Sequence, residues 1–591
     1  MKKDYFQISA IATAVTLGIS AMTAQAASPP SLGSTSLSGT SSAMFHGGAT
    51  VNGGASYLTS IPSSDAVDVI ATITPRSADV GQTGHLVALA VVPGLGTFQM
   101  LSGGLFVPWD GSVEGLRSFT TKTLSASEQI TVLDGLIAEQ ANLAGISIQV
   151  FVGYYVDSVQ NIQYSANPVN AALASPPAAG CPDNTTAAAD GTFKDRPVCI
   201  LSGRITSDTH LTANNSYLLD GQVIIGENEV SGTKTKLIID SGTWVFGQTG
   251  LNYLVVDRNA EIHANGSAEK PVIFTYEGDD TATATTSGQW GGIVINGSAP
   301  INEGTGTAEG EGSSGLYGGD NSADSSGSLT YVQVKYAGQN FTETNELNGI
   351  AFQAVGHGTN LDYIQVHNNS DDGVEFFGGT VNAKHLVLTG NEDDSLDWTY
   401  GWNGKVQHVV VMQTGGRGDF CIEADSNDDN NDAAPRSHPT IANMTCVGKG
   451  ADGVGIRLRE GTAADLRNFV MTGFNDICID IDGAATFTSA GGSLGSLNGN
   501  LTLRNSRLDS FCAFEDEAGE AFTASGWFDA QTGSSLGVVD LGGPVGWANG
   551  SAINSISPSL PTDEFFDNVD HIGAIKDGSS DWTEGWTLTD F

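Results

Sequence analysis

The chain has 591 residues, 40% of them hydrophobic, with 76 Gly and 66 acidic against 24 basic side chains, for a formal net charge of −42. That apolar content, with aromatics scattered along it, excludes an extended unfolded chain. The charge balance leaves no basic face for phosphates, so nucleic acid is excluded as a partner and anionic membrane surfaces are disfavoured. The length fits two or more domains or one long solenoid.

Met1-Lys2-Lys3 opens a short basic region, Ile8 to Met22 is apolar, and Ala24-Gln25-Ala26 gives a small-x-small cleavage pattern. Residues 1–26 are thus predicted to be a secretory signal peptide. No Cys follows the apolar stretch, so no lipid anchor is expected, and no later run of about 18 apolar residues predicts a membrane span. The expected location is outside the cell or on its surface, with the periplasm less favoured. The six cysteines fit disulfides in an exported chain.

Residues 27–55 are rich in Ser, Gly, Ala and Thr and read as a flexible leader. Runs beginning at Val67, His85 and Ile146 are β-rich and separated by Gly and Pro turns, which predicts a small β-sandwich over 56–170. Within it, Ser125 to Leu143 reads as a helix. Residues 171–200 read as a linker stapled by Cys181–Cys199. From 201 to 530 short apolar strands recur, such as Lys236-Leu-Ile-Ile, Tyr253-Leu-Val-Val and Gly292-Ile-Val-Ile, punctuated by Asn265-Gly266 and Asn296-Gly297. Residues 531–591 read as a C-terminal cap.

The repeat is clearest in the middle. Ser370-Asp-Asp-Gly-Val-Glu-Phe is followed 22 residues later by Glu392-Asp-Asp-Ser-Leu-Asp-Trp, which maps Asp371, Asp372 and Glu375 onto Asp393, Asp394 and Asp397. A rung of this length makes three short strands with their turns, stacked about 4.8 Å apart. Val374, Phe376, Leu396 and Trp398 then point inward with Val454, Ile456, Leu458, Ile477, Ile479 and Ile481, while Glu375 and Asp397 face out. In this register Cys478 and Cys512 hold the same strand position one rung apart, within disulfide range. Cys421–Cys446 follows by elimination.

Several runs resemble a group of secreted Gram-negative bacterial proteins, often labelled lipoproteins: Gly288-Gln-Trp-Gly-Gly-Ile-Val-Ile-Asn-Gly, Gly315-Leu-Tyr-Gly-Gly-Asp, Asn345-Glu-Leu-Asn-Gly, Asp372-Gly-Val-Glu-Phe-Phe-Gly-Gly-Thr, and the ending Ile572-Gly-Ala … Asp581-Trp-Thr-Glu-Gly-Trp. The resemblance covers roughly residues 200–591. It implies a right-handed parallel β-helix and specifies fold rather than chemistry. The expected architecture is all-β: a right-handed parallel β-helix (β-solenoid) preceded by a small N-terminal sandwich.

The stacked acids carry the sharpest chemistry. Like charges on neighbouring strands are destabilising, and solvation, raised pKa values or a bound cation each relieve them. Asp371, Asp372, Glu375, Asp393, Asp394 and Asp397 are therefore candidate calcium ligands, since Ca²⁺ takes six to eight oxygens. Asp425, Asp428, Asp429 and Asp432 form a second cluster that departs from the EF-hand pattern and reads as a polar loop. Parallel β-helices include polygalacturonases and pectate lyases, and Gly356-His357-Gly358 and Ile456-Arg457-Leu458-Arg459 resemble motifs of the former. Here the His motif precedes the acids rather than following them. On that alternative Asp371, Asp372, Asp393, Asp394 and Arg457 are the catalytic candidates. Trp290, Tyr400 and Trp402 are candidate outward aromatics for sugar stacking, and Arg417-Gly418-Asp419 is a chance-frequency adhesion tripeptide. The leading expectation is a secreted, non-enzymatic module that binds a glycan, a surface or a protein and carries structural calcium. A pectin-degrading hydrolase or lyase is the alternative, and a self-assembling surface filament the third reading.

Overall fold

Alternating burial decides the first unit. In Ala66–Thr74 the side chains of Val67, Val69, Ala71 and Ile73 are buried and those between them are not. This strand pairs antiparallel with Glu128–Ile137 on one side and Met44–Thr50 on the other. A second sheet is built on Thr83–Val92, paired antiparallel with Ser147–Val156 and Gly96–Met100. Phe45, Val69, Ile130, Val150 and Tyr154 share the core between the sheets. The computed structural model describes residues 29–589 apart from 38, 52–56, 59, 62–65, 93–95, 138–145, 174–179, 343–345, 415–416, 451–452 and 544–545, so the signal peptide expected over 1–26 lies outside the described residues. The chain forms two units, Met1–Ala179 and Gly180–Phe591.

Two expectations for the first unit are corrected. The leader expected over 27–55 contains the strand Met44–Thr50, largely buried. Its small residues serve close packing, because a Cβ on Gly47 would lie 2.9 Å from the Val169 side chain. Of the helix expected from Ser125 to Leu143, residues 138–143 lie outside the described residues, and the described part is instead the strand Glu128–Ile137, where burial of Ile130 and Val132 in the sandwich core overrides local preference.

The second unit is a right-handed parallel β-helix of three sheets: strands such as Asn360–His367, Asn382–Thr389 and Lys405–Met412 give their first three residues to sheet C and their last four to sheet A, and sheet B follows. Sheet B contains Ile350–Gln353, Val374–Phe377, Leu396–Thr399, Phe420–Ala424, Val454–Leu458 and Ile477–Ile481, each parallel to the next. The ladder Ile350, Val374, Leu396, Ile422, Ile456 and Ile479 lies fully inside. The outermost positions Val454 and Ile477, also expected inside, are only half-buried. Chain direction changes between sheets C and A at one left-handed residue per rung: Tyr331, Tyr363, His385, His408, Asn443, Asn468 and Asn505 all have φ between 50° and 65°.

Trp290 and Trp402, expected outside, are fully buried in the core. Trp402 stacks on Phe376 with ring centroids 4.0 Å apart, filling a wide rung that aliphatic side chains alone would leave underpacked. Tyr400 is half-buried.

The boundaries also move. Thr186–Phe193 pairs antiparallel with Arg196–Ile205, so the helical unit starts inside the stretch read as a linker. This hairpin covers the edge of the first rung. The far end is closed by Phe487, Phe522, Trp527 and Phe528, which bury into the same core. The segment expected to be a cap instead runs back along the outside of the coil. Trp547 and Trp586 pack on the outward Val387 and Val410 of sheet A. Gln365 donates to Leu588 O at 3.1 Å. Cys181–Cys199, Cys421–Cys446 and Cys478–Cys512 are all bonded, with Cα separations of 5.5, 6.4 and 5.4 Å. Among the described residues no helix is long and apolar enough to cross a membrane.

Candidate functional site: a buried acidic row

The outward positions of sheet B change character along the coil. Val294 aligns with Ala351, which is followed in register by Glu375, Asp397, Glu423, Arg457 and Asp480. The turns entering these strands add Asp371-Asp372 and Asp393-Asp394. The second acid of each pair braces the next rung: the Asp394 amide donates to Asp372 Oδ1 at 3.0 Å, and the Phe420 amide donates to Asp394 Oδ1 at 2.8 Å. All six predicted calcium ligands are thereby gathered on one flank.

Three carboxylate triads result: Glu346, Asp371 and Asp393; Asp372, Glu375 and Asp397; and Asp394, Asp397 and Glu423. In each, one oxygen per residue lies within 4.8 Å of the others. Asp371, Asp372, Glu375 and Asp394 are not solvated turn acids, being only 7, 6, 8 and 3% exposed, while Glu346, Asp393, Asp397 and Glu423 are half-buried. Part of the cover comes from the long connection over 297–326, where Tyr317 packs edge-on against Phe377. Asn348 reaches from the row to this connection, donating to Glu375 at 2.8 Å and to Glu311 at 3.4 Å. Among the described residues, none of the six acids forms an ion pair with Lys or Arg. Asp397 Oδ1 is buried without a hydrogen-bond partner.

Burial and mutual repulsion raise the pKa values of these groups. Burial, then Glu311, pushes the Asp371 carboxyl up to about 8. Burial and the Glu346 charge push Glu311 up to about 7. Asp372, Glu375, Asp394 and Asp397 lie well above the usual carboxylate range, first through burial and then through Asp371, Asp397, Glu423 and Glu423 respectively.

Farther along, the row meets arginines. Arg459 pairs with Glu423 at 2.7 Å and Asp425 at 2.9 Å. Arg457 pairs with Asp480 at 3.2 Å and Asp482 at 3.0 Å. Burial still pushes Glu423 up to about 7 against the pull of Arg459, and burial with Asp482 does the same for Asp480. Sequence reading missed Glu311, Glu346, Glu423 and Asp480 as members of the row. Glu423 and Asp480 follow from extending the register beyond two rungs, whereas Glu311 and Glu346 come from connections that no periodicity places.

Other sequence candidates lie elsewhere. His357 sits on the turn leaving sheet B, at the opposite strand end from Asp371, with its amide bonded to Ser322 O. The second acidic cluster does not converge, since Asp425 faces Arg459, Asp432 pairs with Arg436 at 2.8 Å, and Asp428 and Asp429 are exposed. Arg417 of the adhesion tripeptide is tied to Glu392 at 3.0 Å.

The chain belongs to the family described as the pectate-lyase like β-helix domain, which matches residues 203–543, more than half of its length. Among solved structures it is similar to the catalytic unit of a thermostable GH87 α-1,3-glucanase from Streptomyces thermodiastaticus strain HF3-3, at 13% identity over 75% of this chain and 93% of that one, with a TM-score of 0.22. A GH87 α-1,3-glucanase catalytic domain in complex with tetrasaccharides is similar at 9% identity over 85% and 97% of the two chains, with a TM-score of 0.19. No curated protein matches the chain.

Proposed function

We propose that the protein is an exported β-helix binding module whose acidic row holds calcium. The observation that carries this reading is the set of adjoining carboxylate triads, in which, among the described residues, Glu423 alone has a basic partner. So many acids within reach of one another cannot all ionise unless a cation compensates them. The donors are all oxygens, which suits Ca²⁺ better than a transition metal, and its tolerance of six to eight ligands suits an irregular row better than the strict octahedron of Mg²⁺. The disulfides fit an oxidising compartment. The family's name points to polysaccharide as the ligand class, and exposed Asp419 at the rim leaves an approach to the row from solvent.

Calorimetric titration of EDTA-treated protein with CaCl₂ tests this. Saturable binding is expected, with a melting temperature that rises with free calcium; at a hundredfold excess over Kd the gain is about 2.7 kcal/mol. No heat of binding and an unchanged melting curve would overturn it.

A second reading rests on Glu423 and Asp480. Carboxyls that stay protonated near neutral pH beside arginines suit proton donation to a leaving group. The burial of the central acids and the remote position of His357 argue against it. Release of saccharide from polygalacturonate or alginate is therefore not expected. Release that disappears in Asp393→Asn while its melting curve stays native would establish the enzymatic reading instead.

A further inference from the structure

The C-terminal segment docks on the coil at the corner between sheets C and A. The Asp567 amide donates to Gln407 Oε1 at 2.7 Å, and Gln407 Nε2 donates back to Asp567 O at 3.0 Å. Asn443 Nδ2 donates to His571 O at 2.9 Å and to Gly573 O at 3.2 Å, and the Ala574 amide donates to Thr445 Oγ1 at 2.9 Å. The fit is not flush. An open hollow of about 380 Å³ remains between His408 of the coil and segment residues from Asn568 to Trp582.

Two imidazoles are buried at this junction, one from each side: His408 is 6% exposed and His571 8%. Neither site is built to hold a charged ring. His408 Nδ1 is buried without a hydrogen-bond partner, and its Nε2 lies 3.7 Å from Asp567 Oδ2, on a carboxylate already paired with Lys384 at 2.8 Å. The other ionisable groups facing it are Lys384, His385 and His571, each a cation when protonated. His385 stacks on the His408 ring at 4.8 Å and is itself tied to Asp362 at 2.7 Å. His571 faces Asp570, Lys576 and Asp577. Its Nδ1 lies 3.6 Å from Asp570 Oδ1, and Lys576 already pairs with that carboxylate at 2.6 Å. Burial, helped by His385, holds His408 down to about 3, and burial lowers His571 as well. Both rings are therefore neutral when docked, and a proton on either favours an open form in which water solvates it.

We infer that the C-terminal segment is an acid-released strap: protonation of His408 and His571 frees it from the corner and bares the outward Val387 and Val410 of sheet A. The sign follows from linkage. An imidazole depressed in the docked form contributes its full stabilisation above its ordinary value of about 6.5, and loses it as pH falls toward the docked value. Well below 6.5, each imidazole shifts the balance toward release by about tenfold per pH unit. The strap's carboxylates act in the same direction at lower pH. Asp567, where burial is outweighed by Lys384, and Asp570, held down by Lys576, lose these pairings as they protonate. The acidic row responds in the opposite sense, because its raised carboxyls favour the folded coil as pH falls. Mild acid thus loosens the strap while it firms the coil beneath.

The inference does not depend on calcium, so its test uses the full chain in EDTA. Hydrogen exchange is followed by peptide from pH 7 to pH 5 and corrected for intrinsic rates. Protection over 565–583 is expected to fall on the order of a hundredfold between pH 6.5 and 5, while 374–399 of sheet B keeps or gains protection. His408→Asn should roughly halve the logarithmic loss, and adding His571→Asn should flatten it. Asparagine suits that corner, since Asn443, Asn468 and Asn505 occupy it on later rungs. A purely structural role for His408 would change protection equally at every pH and leave the slope as it was. Unchanged protection at pH 5, equal loss in sheet B, or an undiminished slope in His408→Asn would each overturn the inference.

Discussion

Glu375 and Asp397 are direct partners on neighbouring strands of sheet B, on the outward side of a pair whose inward neighbours are Val374 with Leu396 and Phe376 with Trp398. The same register that stacks the core therefore stacks the acids, and one cannot be relaxed without shifting the other. Two unit charges about 4.8 Å apart at an effective dielectric near 20 repel by about 3.5 kcal/mol. A coil that tolerates this on several successive rungs must hold protons or a cation there.

That choice makes stability depend on pH. Asp371 is pushed up to about 8 and Glu311 and Glu423 to about 7, whereas unfolded carboxyls titrate near 4. Between those values the folded state holds protons that the unfolded chain has released. Cation-free stability should therefore fall as pH rises from about 4 to 8, by about 1.4 kcal/mol per pH unit for each proton retained. Calcium requires the ionised groups, so its stabilising effect should grow over the same window. Melting curves in EDTA and in CaCl₂ across this range check both slopes, and a cation-free protein that gains stability toward pH 8 contradicts the account.

Asp394 separates charge from hydrogen bonding. Its Oδ1 accepts from the Phe420 amide at 2.8 Å, and an Asn oxygen can accept the same bond. Asp394→Asn should leave the cation-free protein as stable or more stable at pH 7 while weakening calcium binding. Asp394→Ala removes the acceptor and should cost about 1–3 kcal/mol in either condition. Denaturant titration of the two variants with and without calcium distinguishes the terms.

The register of the central rungs was legible because strand and turn lengths there repeat without insertion, so one shift of 22 residues aligns core and acids together. It fails at the next rung, where Asp397 pairs with Glu423, 26 residues on. Glu423 then pairs with Arg457 after the excursion over 425–439. The 297–326 connection is rich in Gly and Ser and carries no repeat that would place it. What turns it into cover is Tyr317 meeting Phe377, a contact between residues 60 positions apart that no local pattern encodes. The misplaced tryptophans have a related cause. Trp402 follows a turn and looks solvent-facing, yet its indole enters the core and donates to Val381 O at 3.2 Å.

The C-terminal segment should detach locally when its anchor is removed. Trp586 is buried, meets Tyr331 edge-on at 5.6 Å and donates from Nε1 to Trp582 O at 2.9 Å. Trp586→Ala removes a large buried ring, a change that costs about 3–5 kcal/mol in a rigid core. Hydrogen exchange should rise sharply over 547–588 while the inward ladder of sheet B keeps its protection. Equal loss of protection in both would show that the segment is part of the coil's cooperative unit.

Cys421 and Cys446 test the register from inside. Both are fully buried, one on sheet B and the other on sheet A, so their bond ties two walls of the coil together. Breaking it frees a loop with a sequence separation of 25, and a closure of that length is worth about 3 kcal/mol in the chain-entropy account. Cys421→Ser with Cys446→Ser should lower stability by about that amount. Peptide mapping of the non-reduced protein should recover Cys421 with Cys446 and Cys478 with Cys512. A Cys421–Cys478 link is the informative alternative. Phe420 pairs with Val454 and Val454 with Ile477, which puts Cys421 and Cys478 two rungs apart. Two rungs span about 9.6 Å, beyond the Cα separation of about 7 Å that a disulfide can bridge. Finding that link would mean the strand order of sheet B, and with it the acidic row, is wrong.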